Sequence, residues 1–179
     1  GEMAALSEAG VRVMLGGHPV PDARSVSAAA AVASLIESHR GPRTLVLCLV
    51  SGGGSALLCS PAEPLSLDDL GAAADSFLAS GMRIDEINVC RRALEHLKGG
   101  GLAAAAHPSA VLGLVLSDVV GDPVEMIASG PTVPPTAPLT ADGLGRLLRT
   151  YHLGAGATHA LPAPVLDALR RAAEDVPDA

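Results

Sequence analysis

Aromatic residues are almost absent from this sequence of 179 residues, which contains no Trp, one Tyr and one Phe. Hydrophobic residues nevertheless make up 49% of the chain and charged residues 17%, a composition typical of a folded domain and not of a disordered segment. The core must therefore be packed from Leu, Val, Ile and Ala, as in layered α/β proteins.

Positive charge is also scarce. Twelve Lys and Arg residues stand against nineteen Asp and Glu residues, which gives a formal net charge of −7. A protein that follows a nucleic acid needs a basic face for the phosphates and aromatic side chains on which the bases stack. The composition therefore argues against nucleic acid as a partner.

These 179 residues also show no sequence signal for a disulfide, a membrane span or a targeting segment. Cys48, Cys59 and Cys90 are odd in number and lack C-x-x-C spacing, which favours free thiols in a reducing compartment. No apolar run approaches the ~18 residues of a membrane span, and residues 1–3 show no basic region of a signal peptide. We expect a cytoplasmic location, with a mitochondrial one as the alternative.

Apolar runs alternate with amphipathic segments along the chain. This alternation predicts an α/β fold with a three-layer, doubly wound and mainly parallel sheet of the Rossmann-like kind. The predicted strands are Val11–Leu15, Thr44–Val50 and Ala110–Leu116. The predicted helices are Arg24–His39, one from about Ser55, Leu67–Ala79 capped by Ser66, Glu86–Lys98 capped by Asp85, Thr140–Tyr151 and Pro164–Glu174.

Each predicted strand runs directly into a polar loop that contains glycine. These loops are Gly16–Asp22, Ser51–Ser55 and Ser117–Asp122. Ligands of parallel sheets bind beyond the carboxyl ends of the strands. The three loops therefore predict one shared site.

The loop of Ser51, Gly52, Gly53, Gly54 and Ser55 is the strongest local signal. Its glycines let a ligand approach bare backbone, and successive N–H groups beside a helix start can hold an anion. The alternative is a tight turn without a ligand. A Walker loop, a dinucleotide fingerprint and a nucleophile elbow are all excluded, because lysine is missing from the loop and Leu57 stands where the last two need glycine.

The predicted helix Glu86–Lys98 places Asn88, Arg91, Glu95 and Lys98 on one line. Two cations and an amide in that arrangement could bind a carboxylate or a phosphate. The alternative is a solvated face with an ion pair between Arg91 and Glu95.

Other candidates lie at the remaining strand ends. Asp118 and Asp122 could hold Mg²⁺ or, like a general base, accept a proton from a hydroxyl group, but either could also cap a turn. His18 could bind substrate or donate a proton, although a structural hydrogen bond is the alternative.

Taken together, these stretches resemble the glycerate 2-kinase family, whose C-terminal part is the MOFRL domain. The matching stretches, which extend across about residues 16–151, are Gly17–Asp22, Leu49–Leu58, Ile84–Asn88, Arg91, Lys98–Gly100, Leu116–Asp122 and Ile127–Thr132. In their details they are most similar to animal members of the family.

The resemblance implies a kinase that uses ATP and Mg²⁺ to convert D-glycerate into 2-phosphoglycerate in a cleft between two domains, and it allows a homodimer. It implies that phosphate or substrate binds to residues 51–55, Asn88 and His18. Arg91, Lys98 and Asp118 become the catalytic residues, and Asp118 and Asp122 the metal ligands. ATP and D-glycerate are the expected small-molecule partners.

Family members also contain a Gly-Lys-Ala segment upstream and the MOFRL domain downstream, and neither is found in these 179 residues. We therefore interpret residues 1–179 as an N-terminal, Rossmann-like glycerate kinase domain that is incomplete at its N-terminus, with the C-terminal domain as its intramolecular partner. The alternative function is a non-catalytic module that binds an anion or a nucleotide. A Rossmann oxidoreductase is disfavoured by the failed dinucleotide fingerprint.

Overall fold

The computed structural model describes residues 10–175. In chain order its elements are α1 (Ala23–His39), β1 (Leu45–Val50), α2 (Gly54–Leu57), α3 (Leu67–Ala79), α4 (Ile84–Ala93), α5 (Gly101–Ala106), β2 (Ala110–Val115), a 3-10 turn (Ile127–Ser129), α6 (Ala141–Thr150) and α7 (Ala163–Glu174). Among these residues, no helix has the length and apolar character that crossing a membrane requires.

The two strands form a parallel pair in which Leu45 lies opposite Ala110 and Val50 lies opposite Val115. Helices α1 and α5 contribute to the core on one face of this pair. The prediction of an α/β fold with a parallel sheet is confirmed. Because the strands are parallel, the loops that follow β1 and β2 leave the sheet at the same edge.

The predicted strand Val11–Leu15 is wrong for this structure, because these residues have no regular secondary structure. In the described part of the chain, their backbone makes no hydrogen bond to β1 or β2. The side chains of Val11 and Leu15 are also exposed. A short apolar run becomes a strand only when a neighbouring strand pairs with its backbone.

The structure has two hydrophobic cores, and the segment 94–97, which follows α4, contributes to both. One core packs α1 and α5 against the sheet and includes Ala29, Leu97, Leu102 and Val46. The other is helical and includes Phe77, Leu94, Leu153 and Leu169. Leu94 and Leu97 therefore bring one short segment into both cores.

The outer face of the sheet is exposed. Side chains alternate along both strands, and the outward ones, namely Leu45, Leu47, Leu49, Leu112 and Leu114, have between 49% and 76% of their surface accessible. Parallel sheets are usually covered on both faces. The described residues cover only one.

The predicted helix Glu86–Lys98 begins and ends too late. Helix α4 starts at Ile84, so Asp85 lies inside its first turn and does not cap it, and the helix ends at Ala93. Beyond that point the backbone pairs with residues 60–62, since the N–H of His96 donates to Ser60 O (2.8 Å) and Leu94 O accepts from the N–H of Ala62 (2.9 Å). This long-range pairing takes Glu95 and Lys98 off the helix.

Helix α3 has the predicted bounds and the predicted cap. The Ser66 hydroxyl accepts from the N–H of Asp69 (3.1 Å), and Asp69 Oδ2 accepts from the N–H of Ser66 (2.8 Å). This reciprocal pair satisfies two N–H groups that the first turn would leave without a partner.

Replacing this cap should destabilise the domain. We expect Ser66→Ala to lower the free energy of unfolding by about 1 kcal/mol, because the first turn loses an acceptor. Urea denaturation measures the change. The matched control is Ser27→Ala, whose hydroxyl bonds only to Ala23 O inside α1 (2.9 Å), so its loss should not weaken the helix. Equal losses in the two variants would contradict the capping role.

Candidate functional site

The glycine-rich loop, Ser51–Ser55, leaves the end of β1 and passes into the single turn of α2. Gly53 has φ +79° and caps this turn, a backbone conformation that favours glycine. Among the described residues, the N–H groups of Gly52, Gly53 and Ser55 have no hydrogen-bond acceptor. They are therefore available to a ligand.

Each glycine of the loop lies against a different neighbour. A Cβ added to Gly52 would overlap the Asp118 carboxylate, and one added to Gly53 would lie 3.2 Å from the His18 ring. A Cβ on Gly54 would be 2.8 Å from the Cβ of Ala128. Glycine is required here by close approach, and the structure brings the three predicted loops together around these positions.

The segment that carries His18 is anchored to the start of α1. The buried Ser25 hydroxyl accepts from the N–H groups of Gly17 (3.0 Å) and Asp22 (3.3 Å). Asp22 in turn caps α1 by accepting from the N–H of Ser25 (3.1 Å). Hydrogen bonds from the Arg24 side chain lower the pKa of Asp22 to about 2, so the cap is ionised at neutral pH. The stability that the ionised carboxylate contributes is present above about pH 4 and is lost as the pH falls through about 2.

Ser55 joins the glycine loop to two other segments. Its Oγ lies 2.9 Å from Ser129 Oγ and accepts from Arg91 Nη2 at 3.3 Å. Arg91 makes no ion pair within the described residues, so most of its donors remain available. A guanidinium beside free N–H groups is suited to an anionic ligand.

Ser129 belongs to this site although it was not among the candidate residues predicted from the sequence. It is buried and has φ +62°, and its neighbours Ala128 and Gly130 also have positive φ, at 51° and 60°. Such a conformation is costly for alanine and serine, and it is often found at functional sites. In the sequence, Ser129 belonged to the polar run Ser129–Thr132 and to the matching stretch Ile127–Thr132, but it was not given a role.

Lys98 and Glu95 form an ion pair beneath the loop. Their charged groups are 2.8 Å apart, and their side chains are 2% and 4% exposed. Lys98 Nζ also donates to Ser55 O (2.7 Å) and Leu58 O (3.3 Å), while Glu95 Oε2 accepts from the N–H of Ser60 (3.2 Å). Because an ammonium has three donors, these contacts use all of them.

Burial dominates the electrostatics at this position. Burial lowers the pKa of Lys98, and the adjacent Glu95 carboxylate opposes that shift. Burial, reinforced by the charge of Glu95, raises the pKa of the neighbouring Cys59 to about 12. The Cys59 thiol is therefore protonated at neutral pH and unsuited to nucleophilic chemistry.

The predicted line of four residues on one helix face is divided in the structure. Arg91 reaches the loop, while Glu95 and Lys98 support it from below. Asn88 is buried, and its amide nitrogen lies 3.9 Å from the sulfur of Met126, which directly precedes the 3-10 turn that carries Ser129. Its side chain makes no hydrogen bond to the glycine loop in the described part of the chain.

The two candidate metal ligands differ in their position. Asp118 is exposed, and its carboxylate lies against Gly52. Asp122 has φ +49° and donates its N–H to Val119 O (3.1 Å). Within residues 10–175 no group of three or more His, Cys, Asp or Glu side chains is arranged to hold a metal. Mg²⁺ usually needs only one or two carboxylates together with phosphate oxygens and water, so Asp118 beside the loop fits such an open site.

The family described as "Domain of unknown function (DUF4147)" matches residues 2–170. Among curated proteins, the "Glycerate kinase" of Macaca fascicularis is 46% identical over 87% of this chain and 38% of its own length. The human "Glycerate kinase" is 45% identical over 87% of the chain and 28% of its own length. A "Putative hydroxypyruvate reductase" of Agrobacterium vitis is 45% identical over 80% of the chain and 36% of its own length.

Two solved structures share this fold. The glycerate kinase of Thermotoga maritima superposes with a TM-score of 0.76 and 35% identity, over 87% of this chain and 36% of that one. A Pyrococcus horikoshii protein gives a TM-score of 0.79 and 38% identity, over 92% of this chain and 36% of its own. This chain thus spans less than two fifths of each of these relatives. With residues 2–170 matched, the chain belongs to the DUF4147 family.

Proposed function

We propose that this chain is the anion-binding part of a glycerate kinase that transfers the γ-phosphate of ATP to D-glycerate and gives 2-phosphoglycerate. The observation that carries the proposal is the convergence of free backbone N–H groups, Arg91, Asp118 and His18 on the loop Ser51–Ser55. The names of the relatives from Macaca fascicularis and Thermotoga maritima support the choice of substrate.

Phosphoryl transfer requires donors fixed where negative charge gathers. The N–H groups of Gly52, Gly53 and Ser55 supply such donors without moving, and Arg91 adds a positive charge. Helix α2 is only one turn long, so the loop backbone and Arg91, more than a helix dipole, provide the attraction.

Asp118 is suited to two roles beside this loop. As a carboxylate it can accept the proton of the glycerate hydroxyl, and it can hold Mg²⁺ together with phosphate oxygens. Bound Mg²⁺ would neutralise charge on the phosphates. We keep Asp122 as a further proposed ligand and His18, which lies over Gly53, as a substrate contact.

Lys98 is better suited to positioning than to touching substrate. Its ammonium protons are all directed at Glu95, Ser55 O and Leu58 O, which fixes the end of the glycine loop. We therefore propose that Lys98 acts on the reaction through Ser55.

We also propose that the complete fold is three-layered and Rossmann-like, with a second layer of helices over the exposed leucines of the sheet. The other parts of a longer polypeptide, including a MOFRL domain, are the proposed intramolecular partner. A homodimer and a cytoplasmic location, with a mitochondrial one as the alternative, complete the proposal.

A binding module without turnover is the second candidate for this chain alone. Lys98 is the only lysine in the sequence, and it is committed to a buried ion pair. No other lysine is therefore available to the loop. Weak or absent turnover with intact ligand binding would favour this candidate.

Making the outer face of the sheet polar should change the stability of this chain very little. We expect Leu47→Gln combined with Leu114→Gln to change the free energy of unfolding by less than about 1 kcal/mol, because both side chains are exposed. The same variant should bind less of a dye that fluoresces on apolar surface. Leu35→Gln, at an exposed position of α1, is the control. Unchanged dye binding would contradict an accessible leucine face.

The loop should be the ligand site. D-glycerate, 2-phosphoglycerate or Mg-ATP at a hundredfold excess over its Kd should stabilise the chain by about 2.7 kcal/mol. Gly52→Ala should abolish this gain, because its methyl group displaces Asp118 from the loop. Thermal unfolding of both chains with and without each ligand measures this stabilisation.

The matched control is Gly154→Ala, where an added Cβ meets nothing within 4 Å. This variant should keep every shift that the unmodified chain shows. Shifts that survive Gly52→Ala, or their absence from the unmodified chain, would contradict the proposed site.

Replacing Lys98 should lower the stability of the fold more than it affects ligand binding directly. We expect Lys98→Met to lower the free energy of unfolding by about 3–5 kcal/mol, because it leaves the Glu95 carboxylate buried without a partner. Adding Glu95→Gln should recover part of the loss. Urea denaturation and 2-phosphoglycerate binding are the measurements. Full stability with lost binding would instead indicate direct contact between Lys98 and the ligand.

A further inference from the structure

A groove of about 790 Å³ lies between the segment Pro19–Pro21 and helix α3. Its walls are largely apolar, and two of their side chains, Val20 and Leu78, are exposed. Cavities that hold small organic ligands occupy about 300–1,000 Å³ and are mostly apolar with a few polar groups. The groove meets that description, and the function proposed above leaves it unused.

Arg91 connects the groove to the glycine loop. Arg91 lines the groove, and its Nη2 lies 3.3 Å from Ser55 Oγ. An anion held by the loop and by Arg91 would therefore lie beside this apolar groove. A ligand that fills both must combine an apolar body with an anionic tail.

The helix side of the groove carries two carboxylates. Asp68 and Asp75 line it, and neither carboxylate makes a hydrogen bond or ion pair within the described residues. Carboxylates accept hydrogen bonds from hydroxyl and amino groups, and they repel phosphate. The third carboxylate of the lining, Glu95, is paired with Lys98. The charge pattern therefore favours the anionic tail at Arg91 and the neutral, hydroxyl-bearing part of the ligand along α3.

We propose that this groove binds the nucleoside of ATP or ADP, with the phosphates directed past Arg91 to the loop Ser51–Ser55. The base contacts the apolar walls, and the ribose hydroxyls or the amino group donate to Asp68 or Asp75. D-glycerate has three carbons and no apolar body, so it does not use the groove. The inference rests on the proposed function, which requires a nucleotide as phosphate donor.

Gly71 offers a way to fill the groove without disturbing the fold. It lies inside α3 and lines the groove, and a Cβ added there meets nothing within 4 Å. Gly71→Phe should weaken ADP binding by roughly tenfold or more and leave the affinity for 2-phosphoglycerate unchanged. Leu78→Glu should act in the same direction by removing apolar contact and adding a negative charge. Isothermal titration calorimetry with Mg-ADP and with 2-phosphoglycerate measures both affinities.

The controls lie one residue beyond the groove. Ala79→Phe and Ala79→Glu introduce the same side chains at an exposed position of α3 that does not line it. Both should bind Mg-ADP like the unmodified chain. Equal weakening at Ala79 would overturn the proposal, because the effect would then be general to the helix.

Two failures can be told apart. If Mg-ADP binds the unmodified chain and the Gly71→Phe and Leu78→Glu variants with one affinity, the nucleoside lies elsewhere and only the groove is overturned. If neither Mg-ADP nor 2-phosphoglycerate binds the unmodified chain, the proposed function and the groove are both overturned.

Discussion

The ion pair between Glu95 and Lys98 is the interaction on which the arrangement of this site depends. Two charged groups that are at most 4% exposed lie where the sheet core and the helical core meet. Their burial is tolerated because each charge is paired and hydrogen-bonded to backbone atoms. Those backbone atoms belong to Ser55, the last residue of the glycine loop, and to Leu58 and Ser60 just beyond it. The pair thus fixes the loop to both cores.

Close packing then determines what the loop can present. His18, Asp118 and Ala128 come from three separate segments, and each occupies the space that a side chain at one of the loop glycines would fill. The glycines thereby let a ring and a carboxylate approach bare N–H groups. Such preorganisation reduces the rearrangement that ligand binding requires.

The local signals in the sequence predicted much of this fold. Helix α3 begins and ends at the predicted residues, because Ser66 and Asp69 form a cap that depends only on neighbours in the chain. The loop at the end of β1 and its neighbour Asp118 could be predicted for another reason, since parallel topology brings strand ends to one edge of the sheet. Arg91 was a candidate because it lies on the line of polar residues along the predicted helix.

What could not be predicted depends on contacts distant in sequence. Helical spacing continued through Lys98, yet backbone pairing with residues 60–62 ended α4 at Ala93. Val11–Leu15 has the composition of a strand but no backbone partner among the described residues. Ser129 was missed because its importance comes from a partner 74 residues away, Ser55. A local pattern contains no information about these two contacts or about the missing strand partner.

The single lysine has one more consequence. The only other primary amine a polypeptide offers is its N-terminus, so within residues 10–175 the surface presents no ammonium group, and its positive charge is carried by guanidinium groups alone. Because the Lys98 side chain is 2% exposed, a reagent that modifies amines can reach it only when the segments around it move apart. The rate of that modification therefore reports how often the centre of the molecule opens, with no probe added to the chain.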